Sequence, residues 1–220
     1  MHLTVKNIID LKNNVKKKII ELNFSNYSPN IIAVSKTFPI ENVIPLIDYG
    51  HKHFGENKVQ EAMGKWNNIK SRNIEIRLHM IGKLQSNKVK NAVSIFDYIH
   101  SVDSLKLAKK IAEEQQKQKK NLKIFIQVNV GDESQKNGVR LSDVDKLVEE
   151  CKNINLDVAG LMCLPPIDES ASNYFSLIKR KNDELALKEI SLGMSNDYLE
   201  ALSFKTTFIR VGTKIFGERN

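Results

Sequence analysis

Ile31-Ile32-Ala33-Val34-Ser35-Lys36-Thr37-Phe38-Pro39 is an apolar run that ends, after a single serine, in a lysine. The run is bounded upstream by the Ser/Asn/Pro-rich stretch Ser25 to Asn30 and downstream by Pro39, and it is too short for a helix. It reads as a buried strand, Ile31 to Ser35. Before it, Ile8, Leu11, Val15, Ile19 and Leu22 recur at intervals of three and four, which predicts a helix over Val5 to Leu22. After it, Ile40 to Tyr49 has the same amphipathic spacing.

The alternation continues to the end of the chain. Further strands are expected at His51 to Phe54, Ile74 to Ile81, Tyr98 to Val102, Leu122 to Val130, Leu156 to Cys163, Glu189 to Met194 and Thr207 to Val211. Helical patterns fill the gaps at Val59 to Asn68, Asn87 to Phe96, Ser104 to Lys119, Leu141 to Lys152, Ser170 to Leu187 and Tyr198 to Leu202. Strands alternating with helices imply a parallel sheet. About eight such units in 220 residues predict an α/β fold closed as a single-domain (β/α)8 TIM barrel spanning residues 1–220, with an additional N-terminal helix. An open doubly wound sheet is the competing architecture. No G-x-G-x-x-G follows the first strand to support it.

Composition narrows the functional class. The formal net charge is +8, but the lysines are scattered, and the clusters Lys16-Lys17-Lys18 and Lys117 to Lys120 fall on expected helices where a solvated face explains them. Specific nucleic-acid binding is not expected. The two cysteines, Cys151 and Cys163, form neither a C-x-x-C pair nor a metal-like cluster, which suits a reducing compartment. No apolar stretch approaches the roughly 20 residues of a membrane span, and Met1 to Lys6 does not begin a signal peptide. The expected location is the cytoplasm. The histidines His2, His51, His53, His79 and His100 show no metal-ligand spacing on a common helix, and His51 with His53 reads as a structural pair on one strand face.

In a barrel the active end is the carboxyl end of the strands. Lys36 stands there. Lysine ordinarily titrates at roughly 10.4, but burial disfavours the ammonium, and a neutral amine can attack an aldehyde. Lys36 is therefore a candidate Schiff-base lysine; the alternative is an ordinary solvated lysine at a strand end. The seventh expected strand ends in Gly193-Met194-Ser195-Asn196-Asp197 and the eighth in Arg210-Val211-Gly212-Thr213. Barrels commonly bind phosphate with these two loops. Gly212 would let backbone N–H groups approach an anion, and Ser195 and Thr213 offer hydroxyls. Alternatively, Ser195 and Asn196 cap the helix at Tyr198. Arg210, inward on the last strand, needs an acceptor: a pyridine nitrogen would serve, as would a core carboxylate.

Taken together, Ala33-Val34-Ser35-Lys36, Gly55-Glu56-Asn57-Lys58-Val59-Gln60-Glu61, His79 with Ile81 to Lys88, Gly160-Leu161-Met162, Gly193-Met194-Ser195 with Asp197, and Arg210 to Thr213 with Ile215-Phe216-Gly217 resemble the pyridoxal phosphate homeostasis protein family, the YggS/PROSC-type proteins. The resemblance runs from about Ile31 to Gly217. It implies a barrel like the N-terminal domain of alanine racemase carrying pyridoxal 5′-phosphate (PLP). Lys36 would form the internal aldimine, Ser195, Gly212 and Thr213 would hold the phosphate, Arg210 would meet the ring nitrogen, and Asn57 and Met194 would lie near the ring. His79 matches a family position without an assigned contact. Lys58, Leu192 and Cys163 depart from the usual pattern.

The family resemblance implies a PLP carrier or buffer in vitamin B6 homeostasis, without catalytic turnover, with PLP-dependent apo-enzymes as recipients. The alternative is a small racemase-like enzyme using Lys36 as base. Alanine racemases take their second acid/base tyrosine from a partner subunit assembled through a C-terminal β domain. With the sequence given ending at Asn220, the expectation is a monomer lacking that tyrosine.

Overall fold

The structure, a computed structural model, describes residues 1–72, 75–131, 133, 137–166 and 169–218. Its strands are β1 (Asn30–Val34), β2 (His53–Glu56), β3 (Arg77–Met80), β4 (Tyr98–Val102), β5 (Lys123–Asn129), β6 (Val139–Arg140), β7 (Asp157–Cys163), β8 (Glu189–Met194) and β9 (Phe208–Val211). Its helices are α1 (Leu3–Glu21), α2 (Ile40–Asp48), α3 (Val59–Lys70), α4 (Val89–Ile95), α5 (Leu105–Gln118), α6 (Val144–Asn153), α7 (Ala171–Glu184), α8 (Tyr198–Leu202) and α9 (Thr213–Phe216). All strand pairings are parallel, and the order β1-β2-β3-β4-β5-β7-β8-β9 closes through β9 against β1. This is the expected closed (β/α)8 barrel. The short β6 pairs with the carboxyl end of β5, beyond the last pairing of β5 with β4.

A period of two assigns each strand residue to one side of the wall. Ile32, Val34, Phe125, Ala159, Met162 and Phe208 form the apolar filling of the barrel. Ile31, Ala33, Leu78, Ile124, Ile126, Ile209 and Val211 belong instead to the larger core between strands and helices. Both faces are thus buried, which is why the strands read as near-continuous apolar runs. Ile32 pairs with Arg210, and Ala33 with Val211, so the β1 and β9 ends emerge side by side at the carboxyl end. The additional helix α1 buries Thr4, Ile8, Leu11 and Val15, and Asn7 Nδ2 donates to the Ile215 carbonyl at 2.9 Å, tying α1 to α9. Among the described residues no helix is long and apolar enough to cross a membrane.

Several boundaries differ from the sequence reading. The second strand starts at His53, not His51. The His51 N–H donates to the Leu46 carbonyl in the turn that follows α2, where Gly50 has φ +88°. The third strand begins at Arg77; Ile74, its expected start, lies outside the described residues, as do positions 132 and 134–136 of the loop after β5. Leu141 opens a single 3₁₀ turn before α6 rather than the helix itself. Lys119 and Lys120 lie past the end of α5, because Lys119 adopts a left-handed conformation (φ +51°) that stops it. The two-residue β6 and four-residue α9 are too short to leave a periodic signal.

Candidate functional site

The side chain that continues the inward register of Ile32 and Val34 is Lys36, half-buried at the barrel mouth. Its neighbours in sequence are fixed from outside the wall. Ser35 turns outward and donates to Glu56 Oε1 at 2.7 Å. The same oxygen accepts from Trp66 Nε1 (3.0 Å) and Lys65 Nζ (2.8 Å), both on α3. Lys65 Nζ also donates to the Ser35 carbonyl at 2.8 Å, and the Thr37 N–H donates to Glu61 Oε1 at 2.5 Å. The fully buried Glu56 carboxylate and the Lys65 ammonium, 7% exposed, thus hold Ser35 before Lys36, and Glu61, paired to the same ammonium, holds Thr37 after it. Thr37 sits at φ +68° in the turn that follows.

Asn57 continues β2 toward the same mouth. A Cβ on Gly82 would lie 2.4 Å from the Asn57 carbonyl oxygen and 2.7 Å from its Cα. The loop after β3 therefore passes directly against Asn57, and only glycine permits that approach.

The loops after β8 and β9 are laced together. Gly193 adopts φ +85°, and a Cβ there would be 2.9 Å from Tyr198 Cα, so α8 seats directly on the end of β8. Asp197 Oδ1 accepts from the Met194 N–H at 2.5 Å, and the Asp197 N–H donates to the Met194 carbonyl at 3.2 Å. Asp197 holds the N-cap position of α8, so the capping alternative for Ser195 and Asn196 does not hold. Ser195 instead accepts the Gly212 N–H through its Oγ at 3.3 Å, joining the two loops. Among the described residues no acceptor takes the backbone N–H of Ser195, Thr213 or Lys214. Thr213 is exposed beside them, and Met194 is 36% exposed at the rim.

Arg210 is 4% exposed and inward on β9. Its Nη1 donates to the Ser191 carbonyl (2.8 Å) and to Ser191 Oγ (2.6 Å), and its Nη2 to the Cys163 carbonyl (2.9 Å). No carboxylate lies within ion-pair distance among the described residues, which removes the core-carboxylate alternative. Desolvation lowers the Arg210 pKa, but arginine titrates so high that the guanidinium stays charged. Three of its five N–H bonds are committed to neutral oxygens, leaving donors for a ligand. Burial likewise pushes the Cys163 thiol up to about 12, so it is no nucleophile at neutral pH.

A lysine, an uncompensated buried cation with donors to spare, and two laced loops with unclaimed N–H groups thus converge on one end of the barrel. These groups fit a flat heteroaromatic aldehyde carrying a phosphate. A cavity of about 620 Å³ opens at the opposite end, between α1 and the starts of β1 and β2, and none of these residues lines it. His79 lies below the mouth, fully buried in mid-barrel, in contact with His53 and His100. The sequence pairing of His51 with His53 is corrected: His51 belongs to the turn, and His53 pairs across strands with His79. Asp197 and Ser191 were not anticipated as supports; Asp197 followed Ser195 in the motif, but Ser191 carried no signal beyond its place in an apolar strand.

The fold and its mouth define a class of barrel proteins, and comparison with known proteins agrees. The family model described as alanine racemase, N-terminal domain, matches residues 10–220. The chain belongs to the pyridoxal phosphate homeostasis protein family. The member from Pasteurella multocida is 31% identical over 226 residues, covering 98% of this chain and 97% of that one. The member from Aquifex aeolicus is 36% identical, covering 86% of each. Among solved structures, PipY of Synechococcus elongatus with PLP bound superposes with a TM-score of 0.81 at 31% identity, covering 92% of this chain and all of that one. A protein from Bifidobacterium adolescentis gives a TM-score of 0.89 at 26% identity over 97% and 94% of the two chains. Alanine racemase from Clostridium difficile, at 16% identity and TM-score 0.69, shares the fold over 57% of its own length.

Proposed function

We propose that residues 1–220 act as one PLP-binding domain that holds the cofactor reversibly, as a carrier in PLP homeostasis rather than as an enzyme, in the cytoplasm and as a monomer. Lys36 is the point of covalent attachment, as a Schiff base. Ser195, Gly212 and Thr213 receive the phosphate with their N–H and hydroxyl groups, and Arg210 donates to the ring nitrogen. Asn57 and Met194 flank the ring. The recipients of the cofactor are PLP-dependent apo-enzymes.

The observation that carries this reading is Arg210: a nearly buried guanidinium on the strand beside β1, which among the described residues bonds only neutral oxygens and keeps two of its five donors uncommitted. PLP joined to an amine supplies an electron sink, strongest when its ring nitrogen is protonated. An arginine donor opposite that nitrogen leaves it unprotonated and restrains carbanion chemistry. The described tyrosines also favour a carrier. Tyr27 donates to the Thr206 carbonyl away from the mouth, Tyr49 caps the end of α2 under the Lys12 ammonium, Tyr98 is stacked on His79 inside the barrel, Tyr198 is buried in the first turn of α8, and Tyr174 is bonded to Glu169. None is placed as a second acid/base facing Lys36.

The test is an absorption spectrum of purified protein with and without added PLP, followed by borohydride reduction and peptide mapping. A visible absorbance lost on reduction, with the adduct on Lys36, supports attachment. A protein that stays colourless with excess PLP, or an adduct on another lysine, overturns it. Proton–deuteron exchange at Cα of a panel of amino acids, abolished in Lys36→Ala, would establish the racemase-like alternative instead.

A further inference from the structure

Inside the barrel the histidines form a column. His53 Nδ1 lies 3.0 Å from His79 Nε2, and His79 Nδ1 lies 2.9 Å from His100 Nε2. His100 Nδ1 lies 3.1 Å from Ser191 Oγ, which is 2.6 Å from Arg210 Nη1. Four side chains, on β2, β3, β4 and β8, are thereby linked to the arginine on β9. Ring orientations are fixed by packing: His79 stacks on Tyr98 at 4.3 Å and His100 on Phe125 at 4.3 Å, with the Phe208 edge against both histidines. His79 and His100 are fully buried.

The direction of this chain follows from donor counting. Arg210 can only donate, so Ser191 Oγ accepts from it. The serine hydroxyl proton then needs an acceptor, and His100 Nδ1 is the one within reach. His100 must therefore carry its proton on Nε2, which it donates to His79 Nδ1. His79 in turn carries Nε2–H and donates to His53 Nδ1. Each bond in the series has one proton, and each Nδ1 lone pair faces the Arg210 side. Reversing the series would leave the Ser191 hydroxyl proton without a partner in a buried site, at a cost of about 1–3 kcal/mol.

We propose that Ser191, His100, His79 and His53 are positioning residues for Arg210: a one-way hydrogen-bond chain whose aligned dipoles take the place of the counter-ion that this guanidinium lacks among the described residues, and hold it charged and aimed at the barrel mouth. A carboxylate in that place would compete with a ligand for the arginine's donors and neutralise its field. Neutral dipoles stabilise the cation and leave both available. The chain requires neutral rings. Burial pushes His79 and His100 well below the ordinary histidine value, and the Arg210 charge lowers His100 further. His53, at the lower end, faces Arg77, Asp97 and Lys52, and burial with the Arg77 charge lowers it to about 4 despite Asp97. The proposal rests on Arg210 meeting the ring nitrogen of bound PLP, but the polarity of the chain is a property of the protein alone.

Two measurements separate the proposal from that reading. The first is ¹⁵N NMR of histidine-labelled protein without PLP at neutral pH. His53, His79 and His100 should all be neutral with the proton on Nε2. In Arg210→Met, which removes the obligatory donor, His79 and His100 should divide between both tautomers. Nδ1–H on His79 or His100 in the unmodified protein, or no change in Arg210→Met, overturns the proposal whether or not PLP binds. The second is the rate of PLP release, followed by transfer to an apo-enzyme or by gel filtration. Ser191→Ala should release PLP roughly tenfold faster, equivalent to one hydrogen bond to a charged group. Ser191→Thr, which keeps the hydroxyl, should restore retention. His100→Phe, which keeps the stack on Phe125, should behave as Ser191→Ala does and replaces it if the alanine variant does not fold. Unchanged release in these variants, with PLP bound normally to Lys36, overturns the coupling and leaves the cofactor reading standing.

Discussion

Glu56 anchors the backbone beside Lys36 from outside the barrel wall. Its Oε1 collects Ser35, Lys65 and Trp66, and its side chain is wholly shielded from solvent. Glu56→Ala would leave the Lys65 ammonium with Glu61 at 3.1 Å and the Ser35 carbonyl at 2.8 Å, and would strip Ser35 and Trp66 of their acceptor. The cost should be about 3 kcal/mol, the lower end for a broken buried pair, because Glu61 still faces the ammonium. Urea unfolding should show that loss, and Glu56→Gln, which keeps an acceptor oxygen, should recover part of it. An unchanged midpoint in Glu56→Ala would mean that the clamp is ornamental. At this scale the sequence was partly legible. Lys36 could be read because its position depends on one local fact, the end of an apolar run. Glu56 could be seen as part of a motif, but not given a task, because its three partners come from two separate segments that only the fold brings together.

Among elements, β7 and β8 fit together through a glycine. A Cβ on Gly160 would lie 1.8 Å from the Glu189 carbonyl oxygen and 3.0 Å from the Phe125 ring. The register between β5 and β7 also shifts between Ile124 and Phe125, opposite Val158 and Gly160. Gly160→Ala sets a methyl group against backbone on one side and a packed ring on the other, neither of which can turn away. Thermal unfolding should show a loss of at least ~3 kcal/mol, beyond the usual range for a single added methyl in a core. The turn from Met194 to Asp197 makes a milder case. Asp197→Ala removes the acceptor for the Met194 N–H, worth about 1 kcal/mol of stability. Because that turn aims Ser195 at Gly212, PLP affinity measured by titration should fall by more than the stability does. Equal retention in wild type and variant would separate the turn from the phosphate site. Strands such as Tyr98–Val102 and Glu189–Met194 were legible to the residue, since Asp103-Ser104 and Ser195-Asn196-Asp197 close their carboxyl ends with turn-forming sequence. The start of β2 was not: His51 and His53 alternate as strand residues do, and only the hydrogen bond from His51 back to Leu46 takes His51 out of the ladder.

His51, His53, His79 and His100 are held neutral within the fold, and that makes the stability of the molecule depend on pH in a definite direction. His51 is held at about 4, first by burial and then by the Lys12 charge. His79 and His100 are held well below their ordinary value, again with burial first. In the unfolded chain each returns to roughly 6.5. Between the folded and unfolded values the unfolded chain binds more protons, so stability must rise with pH across that window. It is fully present above about pH 6.5 and is lost as pH falls, through His51 down to about pH 4 and through His79 and His100 toward their own strongly lowered values. Each such histidine adds a slope of up to about 1.4 kcal/mol per pH unit. The histidine column was not legible in the sequence for the same reason that it matters here: His53, His79 and His100 sit on three strands, and their spacing along the chain contains no hint that barrel closure stacks them. Urea unfolding at intervals from pH 7.5 to 5 should give a free energy that is level above pH 7 and falls steeply below 6.5. In His100→Phe the slope should drop by about one proton, even though the variant is less stable throughout. A free energy that is level from pH 7.5 to 5 would mean that these rings take up protons in the folded barrel, and a column of neutral donors beneath Arg210 could not then exist.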